Sequence, residues 1–362
     1  MFFSKGKSSR ILIVASNAKD QVLSRKEFID AIVCSNHSCT IISPDKFILP
    51  DIQHKVMHMD KRGKNVFSDL IYFVRLFSYI LWNRPDVTIC FAVKPRLYGS
   101  IICLILRLKF VLYVNGMGNL YINNRPSSVT KFIRKISEIF LKGASLIVVQ
   151  NIDDERFVSR LVDPQKVMLL PGSGVNVAYY KPQECEKLYD FVMVSRLIID
   201  KGVLEFLSVA RNLAPHGYKF LLVGPLEENS LITSDLLRDH TSENLTVITG
   251  HVSTFDMLSV SRYAVLPSMR EGCSRFLLEA LSMGVPILTT DAPGCRDFFR
   301  TYNLGRLFSA GSASALESCI LGLDDFDYER QSLLSREAAL DHFSSEAINK
   351  TLYDIVEDVL NV

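Results

Sequence analysis

The chain has 362 residues, 48% hydrophobic and 22% charged, with a formal net charge of +2. That length accommodates two ordinary domains with their own cores, and that balance excludes disorder as the main state. The near-neutral total hides a division, since residues 1–170 carry 25 Lys and Arg against 13 Asp and Glu, net +12, and residues 171–362 carry 16 against 26, net −10.

In chain order, Met1 to Arg10 is polar and basic, and the apolar run Ile11–Ala15 is only strand length, so no cleavable signal peptide is expected. Strands are predicted at Ile11–Ala15, Thr40–Ser43, Val87–Phe91, Phe110–Val114 and Ser145–Gln150. Helices fall between them at Gln21–Cys34, Phe67–Asn83, Tyr98–Leu108, Val129–Lys142 and Asp153–Leu161. Apolar strands alternating with helices mean a parallel sheet covered on both faces. Val66 to Trp82 and Tyr98 to Val114 are apolar but interrupted by charges, and neither reaches the length of a membrane span. The aromatic helix Phe67–Asn83 follows the basic cluster Lys61, Arg62 and Lys64. Its apolar face reads as core, and the cluster as a contact for an anionic membrane surface.

The Gly- and Pro-rich run 171–184 reads as an inter-domain linker. The pattern then restarts. Strands are predicted at Phe191–Val194, Lys219–Val223, Leu245–Thr249, Ala264–Leu266 and Pro286–Thr289, with helices at Val203–Leu213, Ser234–Asp239, Phe255–Ser261 and Arg275–Met283. Two last helices are predicted at Phe326–Leu340 and Ser344–Leu360. The expectation is α/β, two doubly wound Rossmann-like domains facing each other across a cleft: residues 1–170, residues 185–343, and a terminal helix over 344–362 crossing back to the first domain.

The eight cysteines include no Cys-x-x-Cys pair, and the histidines at 37, 54, 58, 216, 240, 251 and 342 form no metal cluster, so a reduced protein without a metal is expected. The charge division has two readings: a basic half that meets something anionic, or two halves that attract each other. No nucleic-acid-binding motif or long basic run is present.

In open parallel sheets ligands bind outside the carboxyl ends of the strands. Glu271 and Glu279 lie there, eight apart. Phe276 to Met283 is apolar except for Glu279 and Ser282, so Glu279 lies in a buried helix and needs a partner or a function. Gly272, Cys273 and Ser274 lead into that helix, where free amides bind anions, with Arg275 beside them. After the strand ending at Val194, Arg196 and Lys201 stand in a loop before Gly202. Two cations there either grip a diphosphate or are solvated surface charges.

Together these residues carry a resemblance. Ser195-Arg196 with Lys201-Gly202, Val223-Gly224-Pro225, Gly250, Pro267-Ser268 leading to Glu271 and Glu279, and Asp291 to Gly294 resemble the nucleotide-sugar-binding domain of retaining glycosyltransferases of GT-B fold, family 4. The resemblance implies that Glu279 binds the ribose, that Glu271 contacts the donor sugar, and that Arg196 and Lys201 neutralise the diphosphate. The amides of Gly272 to Arg275, with Gly224 and Pro225, would face the donor.

In the first half, Lys94-Pro95, the loop Asn115, Gly116 and Gly118, Gln150-Asn151 and Gly172-Ser173-Gly174-Val175 resemble a bacterial surface-polysaccharide subgroup acting on polyprenyl-diphosphate-linked glycans. Lys94, Asn115, Gly116, Gly118, Asn151 and Ser173 are thus candidates for the acceptor side. Gly116 and Gly118 also read as a plain glycine turn. Two departures stand out: the loop Ala15 to Asp20 lacks the family's paired glycines, and Asn115 stands where many members carry His.

What this implies is a metal-independent, cofactor-free retaining transferase. It would move a hexose or N-acetylhexosamine from a UDP-sugar to a lipid-linked saccharide in O-antigen or capsule synthesis. It would be cytoplasmic and peripheral on the inner face of the plasma membrane. The alternatives are a UDP-sugar 2-epimerase on a similar scaffold and a non-catalytic sugar-nucleotide-binding protein.

Overall fold

Strands whose side chains are buried on both faces set the architecture. β4 (Val87–Phe91) and β5 (Phe110–Val114) are buried at every position, as an unbroken apolar run must be when helices cover both sides of a sheet. The computed structural model of the chain describes residues 8–17, 22–46, 52–59, 66–117, 128–228, 230–240 and 242–361. It divides into two units, Met1–Ser173 with Ser345–Val362, and Gly174–Ser344.

The first unit holds a seven-stranded sheet in the order β3-β2-β1-β4-β5-β6-β7, parallel throughout. Its remaining strands are β1 (Arg10–Val14), β2 (Ser38–Ser43), β3 (Gln53–Val56), β6 (Leu146–Val149) and β7 (Val167–Leu169). The order reverses between β1 and β4, the mark of a doubly wound sheet. The last helix, Ser345–Asn361, completes this unit's core by packing Leu352, Tyr353, Ile355 and Val356 among strand residues such as Ile11 and Ile41. The Lys109 ammonium donates to the Val359 carbonyl at 3.0 Å, satisfying a helix end that lacks intrahelical partners. That helix brings four acids and Lys350, which takes the unit's formal charge from +12 to +9.

The second unit holds a six-stranded parallel sheet ordered β10-β9-β8-β11-β12-β13. These are β8 (Tyr189–Val194), β9 (Phe220–Gly224), β10 (Leu245–Thr249), β11 (Ser261–Leu266), β12 (Ile287–Thr290) and β13 (Arg306–Phe308). The run 171–184 is not a free connector beyond its first residues. From Gly174 onward it belongs to the second unit, where the Tyr180 carbonyl accepts from the Ser282 hydroxyl at 2.5 Å and from Arg336 at 3.0 Å.

Helix Val66–Asn83 departs from expectation in one respect. Tyr72, Leu76 and Ile80 are buried in the core, but Phe67, Leu70, Ile71, Val74, Leu81 and Trp82 are exposed. The helix is therefore apolar on two faces, of which the core takes one. No helix among the described residues is long and apolar enough to cross a membrane.

Candidate functional site

Four neighbouring strands of the second sheet, β9, β8, β11 and β12, deliver their carboxyl-end loops to one place. The loop after β8 is stitched to the end of β9, since the Ser195 amide donates to the Val223 carbonyl at 3.0 Å and the Leu197 amide to the Pro225 carbonyl at 2.9 Å. A Cβ on Gly224 would stand 1.6 Å from the Ser195 carbonyl oxygen, so no other residue fits that approach. On the other side, the Met269 amide and the Ser268 hydroxyl both donate to the Asp200 carbonyl, at 2.9 and 3.2 Å. The Glu271 amide reaches across to the Pro293 carbonyl at 3.0 Å. Gly294, in the left-handed region at φ +76°, lies so close that a Cβ would stand 2.2 Å from the Glu271 carbonyl oxygen.

This framework fixes the candidate side chains. The Lys201 ammonium meets the Glu271 carboxylate at 2.5 Å, with 18% and 11% of the two side chains exposed. Arg196 pairs with Glu227 at 2.6 Å in a far more open position. An exposed ion pair of this kind contributes only about 0 to 1 kcal/mol, so Arg196 is held only weakly by Glu227.

Glu279 projects from helix Arg275–Ser282 and is buried, 7% exposed. Burial pushes its carboxyl above the usual range, while Arg275 at 3.7 Å and the hydroxyls of Tyr180 and Thr254 pull the other way. The Ser274 hydroxyl accepts from the Leu277 amide at 3.4 Å and caps the helix. Cys273 precedes it, and burial raises its thiol pKa strongly, so it stays a neutral thiol. Tyr180 and Thr254 had no signal of their own in the sequence. They reach Glu279 from elements 99 and 25 residues away, and Tyr180 is set by an aromatic cluster with Tyr179 and Phe255 at 5.0 and 6.2 Å.

In the first unit Asp154 links the loop after β5 to Asn151. Lys94 is held by Asp69, its ammonium 2.7 Å from both carboxylate oxygens. Asn115 is exposed at the end of β5. Gly116 takes φ 125°, and the next amide, Met117, donates to Asp154 at 3.2 Å. Asn151 is buried and caps helix Ile152–Val158, accepting from the Asp154 amide at 2.8 Å and donating to its carboxylate at 2.9 Å. Ser173 is buried, and its carbonyl accepts from Asn349 at 3.5 Å. Gly118 lies outside the described residues, as do Lys61, Arg62 and Lys64. Sequence reasoning missed Arg25, whose buried guanidinium lies 4.8 Å from the Phe91 ring centre and 4.4 Å from that of Tyr113.

Residues 189–324 match the family described as Glycosyl transferases group 1. Over 363 aligned residues the chain is 24% identical to the capsular polysaccharide biosynthesis glycosyltransferase CapM of Staphylococcus aureus, covering 94% of this chain and 95% of that protein. It is 26% identical over 255 residues to the UDP-Gal:alpha-D-GlcNAc-diphosphoundecaprenol alpha-1,3-galactosyltransferase of Escherichia coli, covering 64% of this chain and 65% of the relative. Among solved structures it superposes on Anabaena Alr3699/HepE in complex with UDP-glucose with a TM-score of 0.74, covering 97% of this chain and all of the other, at 14% identity. That likeness is one of fold, and the fold is GT-B.

Proposed function

We propose that this protein is a retaining glycosyltransferase that moves a hexose or N-acetylhexosamine from a UDP-sugar to a polyprenyl-diphosphate-linked saccharide during O-antigen, capsule or related glycan synthesis. The observation that carries this reading is the Lys201–Glu271 pair, locked at the junction of four strand-end loops in the segment that matches Glycosyl transferases group 1. A fixed, half-screened cation there stabilises charge on a departing diphosphate without reorganising. Arg196, released from Glu227, supplies the second cation, and Glu279 accepts hydrogen bonds from the ribose hydroxyls.

The bond from the sugar's anomeric carbon to the phosphate oxygen breaks, and the bond to the acceptor hydroxyl forms on the same face. The leaving phosphate takes the hydroxyl proton. Asn115 is no base, and none is needed when the leaving group serves as one. UDP as the donor nucleotide and a lipid-linked acceptor follow the names of the relatives, and such an acceptor places the enzyme at the inner face of the membrane.

The deciding experiment offers purified enzyme a panel of UDP- and GDP-sugars with a bacterial lipid-linked acceptor, with and without excess EDTA, and follows nucleotide release and the anomeric configuration of the product. Acceptor-dependent UDP release that persists in EDTA and gives the donor's configuration is expected. UDP released without acceptor, an inverted product, or turnover restored only by magnesium would each overturn the corresponding part of the proposal.

A further inference from the structure

The exposed face of helix Val66–Asn83 has a composition unusual for a solvated surface. Phe67, Leu70, Ile71 and Val74 recur at three- and four-residue spacings along it, Leu81 and Trp82 continue the same face two turns on, past the exposed Ser78, and Phe67 and Trp82 are 73% and 85% exposed. At 1.5 Å per residue the stripe runs about 22 Å. Exposed apolar residues gathered on one face over that length mark an interaction surface. Its charge is of one sign. Arg75 lies on the exposed side, and Asp69, the helix's single acid, is neutralised by Lys94. Beside the stripe a groove of about 500 Å³ is lined by Lys55, Val56, Val74, Arg75, Tyr79 and Trp82. The Lys55 ammonium stands 4.7 Å from the Tyr79 ring centre, so the groove combines apolar walls with cations. In sequence, Lys61, Arg62 and Lys64 come just before the helix.

We infer that this face is a bilayer-docking surface, with the helix lying in the plane of an anionic phospholipid membrane. The stripe from Phe67 to Trp82 enters the acyl boundary, and Lys55 and Arg75 meet lipid phosphates. A tryptophan at one end of an apolar strip and cations on its flank are what the headgroup region selects. Charge argues against a second copy of the chain, because a self-complementary contact would bring the same uncompensated cations onto each other. The choice of a bilayer over another anionic, apolar partner rests on the lipid-linked acceptor proposed above. The surface itself does not, and the test uses lipid alone.

Trp82 is the chain's single tryptophan, so its fluorescence reports on this face without labelling. Full-length protein is mixed with vesicles of phosphatidylglycerol and phosphatidylethanolamine, and separately with phosphatidylcholine vesicles. The anionic vesicles should shift Trp82 emission to the blue, brominated acyl chains should quench it, and added salt should weaken binding. The double substitution Ile71→Glu with Val74→Glu, at exposed positions that leave the core intact, should lower partitioning by at least about tenfold while the melting curve stays unchanged. Vesicle binding with Trp82 emission unmoved would assign docking to another surface and overturn the inference. So would the absence of binding at low salt, or a blue shift that grows with protein concentration without lipid.

Discussion

Glu279→Gln should make the protein more stable and a poorer binder of its donor, both from the removal of one charge. In the folded chain three groups favour the carboxylate: Arg275 at 3.7 Å and the hydroxyls of Tyr180 and Thr254, yet burial still leaves its pKa above the ordinary 4.5. Desolvation thus outweighs their sum. The largely exposed Arg275 contributes at most about 1 kcal/mol, and an amide keeps contact with both hydroxyls, losing only the charged part of each bond, about 1 to 1.5 kcal/mol. The sign then follows from linkage. A carboxyl whose folded pKa is raised adds stability that is complete below the unfolded value, 4.5, and is lost as pH rises through the folded pKa. The variant does not lose it, so its melting temperature should exceed that of the parent near pH 7, by about 2 to 4 °C per kcal/mol relieved, and the gap should close as pH falls toward 4.5. Two ribose hydroxyls that lose a charged acceptor weaken nucleotide binding by about 2 to 3 kcal/mol, or roughly 30- to 150-fold. Scanning calorimetry between pH 4 and 8 and titration calorimetry with UDP read the two effects. A gap independent of pH would refute the desolvation argument, and unchanged UDP affinity would remove Glu279 from the donor site.

Lys201→Ala leaves the Glu271 carboxylate without its cation and should lower both stability and turnover. Adding Glu271→Gln should recover most of the stability and none of the turnover, and a double-mutant cycle that restored both would leave Lys201 a purely structural role. Gly294→Ala and Gly217→Ala form a matched pair, since both glycines sit at φ +76° but only the Cβ at 294 meets backbone. Each should show a strain cost of about 1 to 2 kcal/mol, and only Gly294→Ala should lose further stability to its backbone clash and also weaken UDP binding by calorimetry. Asn151→Ala removes a helix cap and a donor to the buried Asp154, and should cost about 0.5 to 2 kcal/mol in urea unfolding. A raised acceptor KM with no loss of stability would instead mark Asn151 as a substrate contact.

The central strands were legible in the sequence because their two covered faces demand unbroken apolar runs, and the edge strand β10 was legible too, from its run Leu245–Thr249. β3, β7 and β13 were not, and all three are sheet edges. Gln53, His54, Lys55 and Val56 of β3 carry no such run because one side of an edge needs no cover. Glu279 was conspicuous as a carboxylate in an apolar helix, yet its surroundings were not readable, because Tyr180 comes from a loop and Thr254 from the start of helix Thr254–Ser259, whose placement depends on tertiary contacts. Arg196 and Lys94 illustrate the same limit. A cation's position beside a strand end follows from local sequence, whereas its partners, Glu227 and Asp69, follow from the fold.

The closing helix Ser345–Asn361 also dictates an order of assembly. Leu352, Tyr353, Ile355 and Val356 belong to the same core as Ile11, Ile41 and Val148, so the unit begun first cannot complete that core until residues 345–361 have been synthesised. The inserted unit, Gly174–Ser344, has its ends already joined, with the Val175 amide donating to the Phe343 carbonyl at 2.8 Å. It can fold as soon as it emerges. At about 5 to 20 residues per second, the earlier half waits roughly 10 to 35 s with an unsealed apolar surface, and this interval is where a chaperone would find the nascent chain.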